Sequence, residues 1–206
     1  GGKDGARLGL RVNAKRSTFS GYLLRLDHQH AGEEALNSFT TYTYKTPFLL
    51  KIEYPGNRNR DAKLTEEIRQ DFSCFEKTLY SYDYDREKYG YTSMIDVDSF
   101  VDYFIINELS SNADAGNYST YIYKGTDNLY RMCVWDFNNA CNNYFEEELP
   151  YTGFFLNNRL WFEMLIKDKD FTERIIQRYH SLRKGLLSEE SLYRYIDETL
   201  DFIAPA

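Results

Sequence analysis

Cysteine is scarce in this chain of 206 residues: Cys74, Cys133 and Cys141, an odd number with no Cys-x-x-Cys spacing. That excludes a disulfide framework and a zinc ribbon, and it reads as three buried thiols. Proline (4) and glycine (12) are also low, too low for collagen-like or low-complexity structure. No apolar run approaches the roughly 20 residues of a membrane-crossing helix, and the N-terminus lacks the apolar stretch of a signal peptide. Positive charge is in deficit, 25 Lys+Arg against 32 Asp+Glu for a net −7, and the cations are scattered. Such a surface repels phosphate backbones, so no nucleic-acid partner is expected. What the chain does have is aromatic mass, 19 Tyr, 14 Phe and 2 Trp, within 42% hydrophobic residues. That is enough to build one core.

Residues Gly1 to Ser17 are polar and Gly-rich without periodicity, and they read as the torn edge of a larger domain. Phe19 to Leu26 and Phe48 to Tyr54, the latter closed by Pro55-Gly56, read as two strands that pair. From Thr65, placed as N-cap with Glu66 and Glu67 in the first turn, Ile68, Phe72, Phe75 and Leu79 repeat at helical spacing. A second helix starts at Asp98 or just before; Val97, Phe100, Val101, Phe104, Ile105 and Leu109 give it a wide apolar face and a deep position. Ser119 to Lys124 and Leu129 to Trp135 flank the turn signal Gly125-Thr126-Asp127-Asn128, which predicts a β-hairpin. From Arg159 onward the pattern is helical, with no internal repeat.

The hairpin gives two aspartates a common address. With the turn centred on Thr126-Asp127, facing residue numbers sum to 253, so Asp136 lies opposite Asn117 and three residues from the level of Asp114. Extended chain advances about 3.3 Å per residue, so the two backbones are expected within ~10 Å at the open end of the hairpin. Asp136 follows the apolar run Met132 to Trp135 and precedes Phe137, and a carboxylate buried among such side chains needs a partner or a metal. Asn112, Asn117, Ser119, Asn138, Asn139, Asn142 and Asn143 surround it in sequence. Hard oxygen donors of this kind favour Mg²⁺, Mn²⁺ or Ca²⁺ over zinc.

At these residues the sequence resembles the CotH kinase family, the spore-coat-protein-H-like atypical protein kinases. The blocks that carry the resemblance are GYLLRLD at Gly21 to Asp27, IEYP at Ile52 to Pro55, DVDSFVDYFIINELSSNAD at Asp96 to Asp114, STYIYK at Ser119 to Lys124 and VWDFNNACNN at Val134 to Asn143. The resemblance implies an α+β fold, the mainly helical, C-lobe-like part of an atypical protein-kinase-like fold, with a β-hairpin carrying the metal-site acid. It also implies transfer of the ATP γ-phosphate to protein Ser or Thr with Mg²⁺ or Mn²⁺, Asp136 as the metal-holding acid and Asp114 as the acid of the catalytic loop. Ser119 falls where ordinary kinases place a metal-binding Asn, and Asn138 stands where the family carries a second acid. Cys141 and Asn142 replace an expected Phe-Gly, so reduced metal affinity is implied.

No phosphate-covering Gly-rich loop and no strand with a nucleotide-pairing Lys is found in the sequence. The expectation is therefore a single domain over residues 1–206 that is a fragment lacking its N-terminal nucleotide-binding lobe and inactive by itself. Its partners are then that missing lobe and a protein phosphoacceptor or a coat or surface protein. The competing reading is a non-catalytic surface or coat interaction module on the same scaffold. An extracytoplasmic location is the expectation that goes with the resemblance.

Other features read plainly. His28-x-His30 lies in a polar turn, and the Asn117-Tyr118-Ser119 glycosylation pattern is a chance match at the proposed site. Glu146-Glu147-Glu148 reads as a solvated loop. Tyr42, Tyr44, Tyr80, Tyr82, Tyr84, Tyr89 and Tyr91 read as packing residues with hydroxyls in water. Glu108, on the buried helix, needs a backbone amide or a basic partner and is expected to brace the loop after it, with Asn112 and Trp135 as further support.

Overall fold

The computed structural model describes residues 12–13, 18–19, 21–28, 38–40, 48–143, 148–150 and 152–204. Alternating apolar residues build a five-stranded antiparallel sheet in the order β4-β5-β3-β6-β7: β3 (Tyr22–Leu26), β4 (Ser38–Thr40), β5 (Leu49–Tyr54), β6 (Thr120–Lys124) and β7 (Tyr130–Cys133). A separate ladder joins β1 (Val12–Asn13) to β2 (Thr18–Phe19). The expected pairing of the two apolar strands is present, since Leu24 faces Ile52 and Leu26 faces Leu50. Side chains alternate across a sheet, so Tyr22, Leu24, Leu26, Leu50, Ile52, Ile122, Tyr130 and Met132 fall on one buried face. Arg25, Lys51, Glu53 and Tyr121 stand on the other, where Arg25 Nε meets Glu53 Oε1 at 2.9 Å and Lys51 Nζ meets it at 3.4 Å.

Among the described residues five α-helices complete an α+β fold: α1 (Ala62–Leu79), α2 (Val97–Leu109), α3 (Phe162–Leu165), α4 (Lys169–Arg183) and α5 (Glu189–Ile203). The first begins one turn earlier than its apolar repeat suggested. Asp61, not Thr65, is the N-cap, accepting from Leu64 N at 2.8 Å. Glu66 is thereby moved off the first turn, where it pairs with Arg69. Ile68, Phe72, Phe75 and Leu79 are fully buried, as their spacing predicts. The second helix starts at Val97 behind the cap Asp96, whose carboxylate also accepts from Arg131 Nε at 2.9 Å. Its entry is stitched to β7 by Asp96 N to Tyr130 O and Tyr130 N to Met94 O, both 2.9 Å.

Under the sheet, Tyr22, Phe72, Phe75, Tyr130 and Trp161 form an aromatic nucleus, with ring centroids 4.9 to 6.1 Å apart. Every polar handle in it is answered. Trp161 Nε1 donates to the buried Glu76 Oε1 at 2.8 Å. Tyr22 and Tyr130 share a 2.6 Å hydroxyl contact and both reach Asp71, which Lys124 Nζ also holds at 2.7 Å.

The cysteines are free thiols, but they are not the expected buried set: Cys74 and Cys141 are exposed and Cys133 is half-buried. Cys74 lies on the solvent side of α1, and Cys141 on a loop whose φ is positive. The tyrosine cluster divides. Tyr91 is buried and donates to Asp168 at 2.5 Å, and Tyr80 donates to Leu160 O at 3.0 Å, whereas Tyr82 is 98% and Tyr89 68% exposed. Tyr42 and Tyr44 lie outside the described residues.

Candidate functional site

The hairpin forms, one residue out of the expected register. Tyr121 faces Cys133, Ile122 faces Met132 and Lys124 faces Tyr130, so facing numbers sum to 254 rather than 253, and the ladder ends at Cys133, short of Asp136. The cause is a five-residue turn, Gly125 to Leu129, closed by Gly125 N to Leu129 O at 2.9 Å with Asn128 at φ 66. One step of register exchanges the two faces of a strand. It places Trp135 beside Tyr121, with rings 5.4 Å apart.

Two loops meet at the open end. The first leaves α2 at Ser110 and turns through Asp114, whose carbonyl accepts from Asn117 N (2.9 Å) and Tyr118 N (2.8 Å). The second leaves β7 and folds back over the first: Cys141 N donates to Ser110 O at 2.5 Å, and Asn139 Nδ2 donates to Asp114 Oδ2 at 2.8 Å. Asn139 is three positions beyond Asp136, so their Cα atoms lie within about 11 Å. The side chain that reaches Asp114 is thus Asn139; Asn138 is exposed and offers its carbonyl to Asn143 instead.

Asp136 departs from the buried acid that its neighbours suggested. It is exposed, as are Val134 (58%) and Trp135 (55%), and its φ is 52. The ladder stops at Cys133, and the chain then turns the acid outward, so no burial penalty demands a partner. Among the described residues its carboxylate has none. Ser119, also at positive φ (47), is half-buried at the foot of β6. Asn112 lies in the core at 2% exposed, its Nδ2 donating to Asn107 Oδ1 at 2.9 Å and its Oδ1 without a partner. It supports the loop from below. His28 is exposed and stacks on Tyr118 with centroids 3.7 Å apart; His30 lies outside the described residues, as do Glu146 and Glu147, while Glu148 is exposed.

Glu108 accepts from Phe155 N at 2.9 Å and Leu156 N at 2.6 Å. Burial raises its carboxyl above the ordinary value, against the pull of those two amides and of nearby Arg159. Burial likewise lowers the Arg159 guanidinium, opposed by the charges of Glu108 and Asp114. Arg159 Nη1 donates to Ala113 O (2.7 Å) and Ala115 O (2.9 Å), on both sides of Asp114. Sequence reasoning missed Arg159 and Glu76, and it named Asn139 among the asparagines near Asp136 without singling it out as the partner of Asp114. Arg159 sits in an unpatterned Asn-Asn-Arg-Leu stretch, and only the tertiary structure brings it to the loop.

Among the described residues no group of three or more His, Cys, Asp or Glu side chains could hold a metal ion. Asp114 and Asp136, on loops tied by the Asn139–Asp114 bond and the second unpartnered among the described residues, fit the mode in which Mg²⁺ is held by one or two acids plus phosphate oxygens. None of the described helices is long and apolar enough to cross a membrane. No curated protein and no solved structure matches the chain. The CotH kinase protein family does match, over residues 11–206. With most of its length covered by that match, the chain belongs to the CotH kinase family and is a kinase-like protein.

Proposed function

We propose that this chain carries the catalytic-loop and metal-site part of an atypical protein kinase that moves the ATP γ-phosphate to Ser or Thr of a protein. The observation that carries the reading is the pair of tied loops at the hairpin's open end, one bearing Asp114 pinned by Asn139 and the other bearing Asp136, which has no partner among the described residues. Asp136 would hold Mg²⁺ or Mn²⁺, with Asp114 and the neutral oxygens of Ser119 and Asn138 at the same mouth. The cation would neutralise charge that spreads over the phosphate oxygens in the transition state. Asp114 keeps Oδ1 for the acceptor: it takes the hydroxyl proton while that oxygen bonds to the γ-phosphorus and ADP leaves. In this reading the protein acts outside the cytoplasm on a protein phosphoacceptor or a coat or surface protein.

In isolation the chain is expected to transfer little or no phosphate, because a nucleotide-covering lobe is needed to hold the triphosphate in line and exclude water. Titration with Mn²⁺ followed by electron paramagnetic resonance should show binding that Asp136→Ala removes. Robust ATP-to-protein transfer by this chain, abolished by the same substitution, would overturn the inactivity and sustain the site. A folded chain indifferent to Mn²⁺ would instead favour a non-catalytic interaction module, the second reading, which Asn138 in place of a second acid supports.

A further inference from the structure

The Asp114 turn is held from behind by a segment far downstream. The peptide plane before Asp114 is anchored through Ala113 O to Arg159 Nη1, and the plane after it through Asp114 O to the amides of Asn117 and Tyr118. Because each peptide unit is rigid, anchoring both planes fixes the direction of the Cα–Cβ bond between them. The same Arg159 nitrogen takes Ala115 O at 2.9 Å, closing the arch.

Arg159 is itself delivered. The Glu108 carboxylate holds the amides of Phe155 and Leu156, and Leu156 O accepts Arg159 N at 3.0 Å, so the turn that presents the guanidinium hangs from α2. The approach is close enough to require glycine. Gly116 has φ +80, and a Cβ there would lie 2.9 Å from Leu156 Cδ2 and 3.0 Å from Arg159 Cβ.

We propose that Arg159 is the positioning residue of the Asp114 turn, with Glu108 acting through it, and that this relay sets the direction in which the Asp114 carboxylate faces the mouth. The inference rests on the reading of that mouth as a cation and acceptor site. Arg159→Lys is the sharpest probe, because lysine keeps the charge but ends about one bond short of the two carbonyls. Glu108→Gln keeps the shape but sets an amide donor against one backbone N–H.

In both variants of the full chain, hydrogen exchange at Ala115, Asn117 and Tyr118 should speed by about tenfold or more, while the β6–β7 amides stay protected. Mn²⁺ affinity should fall about tenfold, the usual effect of losing a supporting contact. Unchanged exchange at the turn overturns the proposal, as does a uniform rise across the chain, which would mark loss of global stability only. Faster turn exchange with unaltered Mn²⁺ affinity overturns the step from turn to mouth. If the unsubstituted chain binds no Mn²⁺, the reading of the mouth fails, and the exchange result alone decides the role of Arg159.

Discussion

The aromatic nucleus beneath the sheet and the mouth at the hairpin's open end are built on opposite rules. In the nucleus Tyr22, Phe72, Phe75, Tyr130 and Trp161 are fully buried and their polar atoms are paired. At the mouth Val134, Trp135 and Asp136 are exposed, and Ser111, Ser119, Asp136, Cys141 and Asn142 all hold positive φ without being glycine. Such backbone costs free energy at each residue, more for Ser, Asp and Cys than for Asn, and it gathers at sites where side chains must be aimed. The lesson is a division of labour: the nucleus supplies stability, and the mouth gives some of it up for placement.

Removing mass from the nucleus should produce the largest effect. Phe72→Ala should destabilise by about 3–5 kcal/mol in urea unfolding, because it leaves a cavity among the rings of Phe75, Tyr130 and Trp161. A loss below about 1 kcal/mol would mean that the nucleus is not what holds the chain together. At the mouth the sign should reverse. Asp136→Gly should raise stability by about 0.5–1 kcal/mol, since glycine occupies φ 52 without a Cβ penalty, while abolishing Mn²⁺ binding. Destabilisation by this change would show that the acid has a structural partner after all.

The finest test sits at the boundary, on Cys133 at the end of β7. Burial pushes its thiol from the ordinary 9 up to about 12. At pH 8 an alkylating reagent should therefore label it at least ~100-fold more slowly than exposed Cys74 and Cys141. The folded state keeps this proton to higher pH than the unfolded chain does. The contribution to stability is thus complete below about pH 9 and is lost as pH rises toward 12, visible as a falling melting temperature. Equal labelling of all three thiols would place Cys133 with the mouth rather than the nucleus.

Local pattern was a good guide wherever one face of an element is buried. Ile68, Phe72, Phe75 and Leu79 marked the inner side of α1, and Gly125 to Asn128 marked the hairpin. It misjudged what depends on a single residue of geometry. Asp61 took the cap from Thr65, and the turn took one residue more, so the facing pairs of the hairpin shifted by one. It also misjudged exposure: an acid among Met132, Val134, Trp135 and Phe137 looks buried in a string, but the ladder ends before it.

Periodicity and propensity are local quantities, and by themselves they marked β3, β5, the β6–β7 hairpin, the helical runs and the two loops that bear Asp114 and Asp136, but not β1 or β4. Only the tertiary structure decided which groups meet across those loops. Asn139 finds Asp114, Glu108 finds the amides of Phe155 and Leu156, and Arg159 finds the carbonyls beside Asp114. Those contacts join residues from 25 to 48 positions apart, and packing of α2 against the sheet and the downstream segment, rather than any spacing in the sequence, sets which hydrogen-bonding partners come within reach.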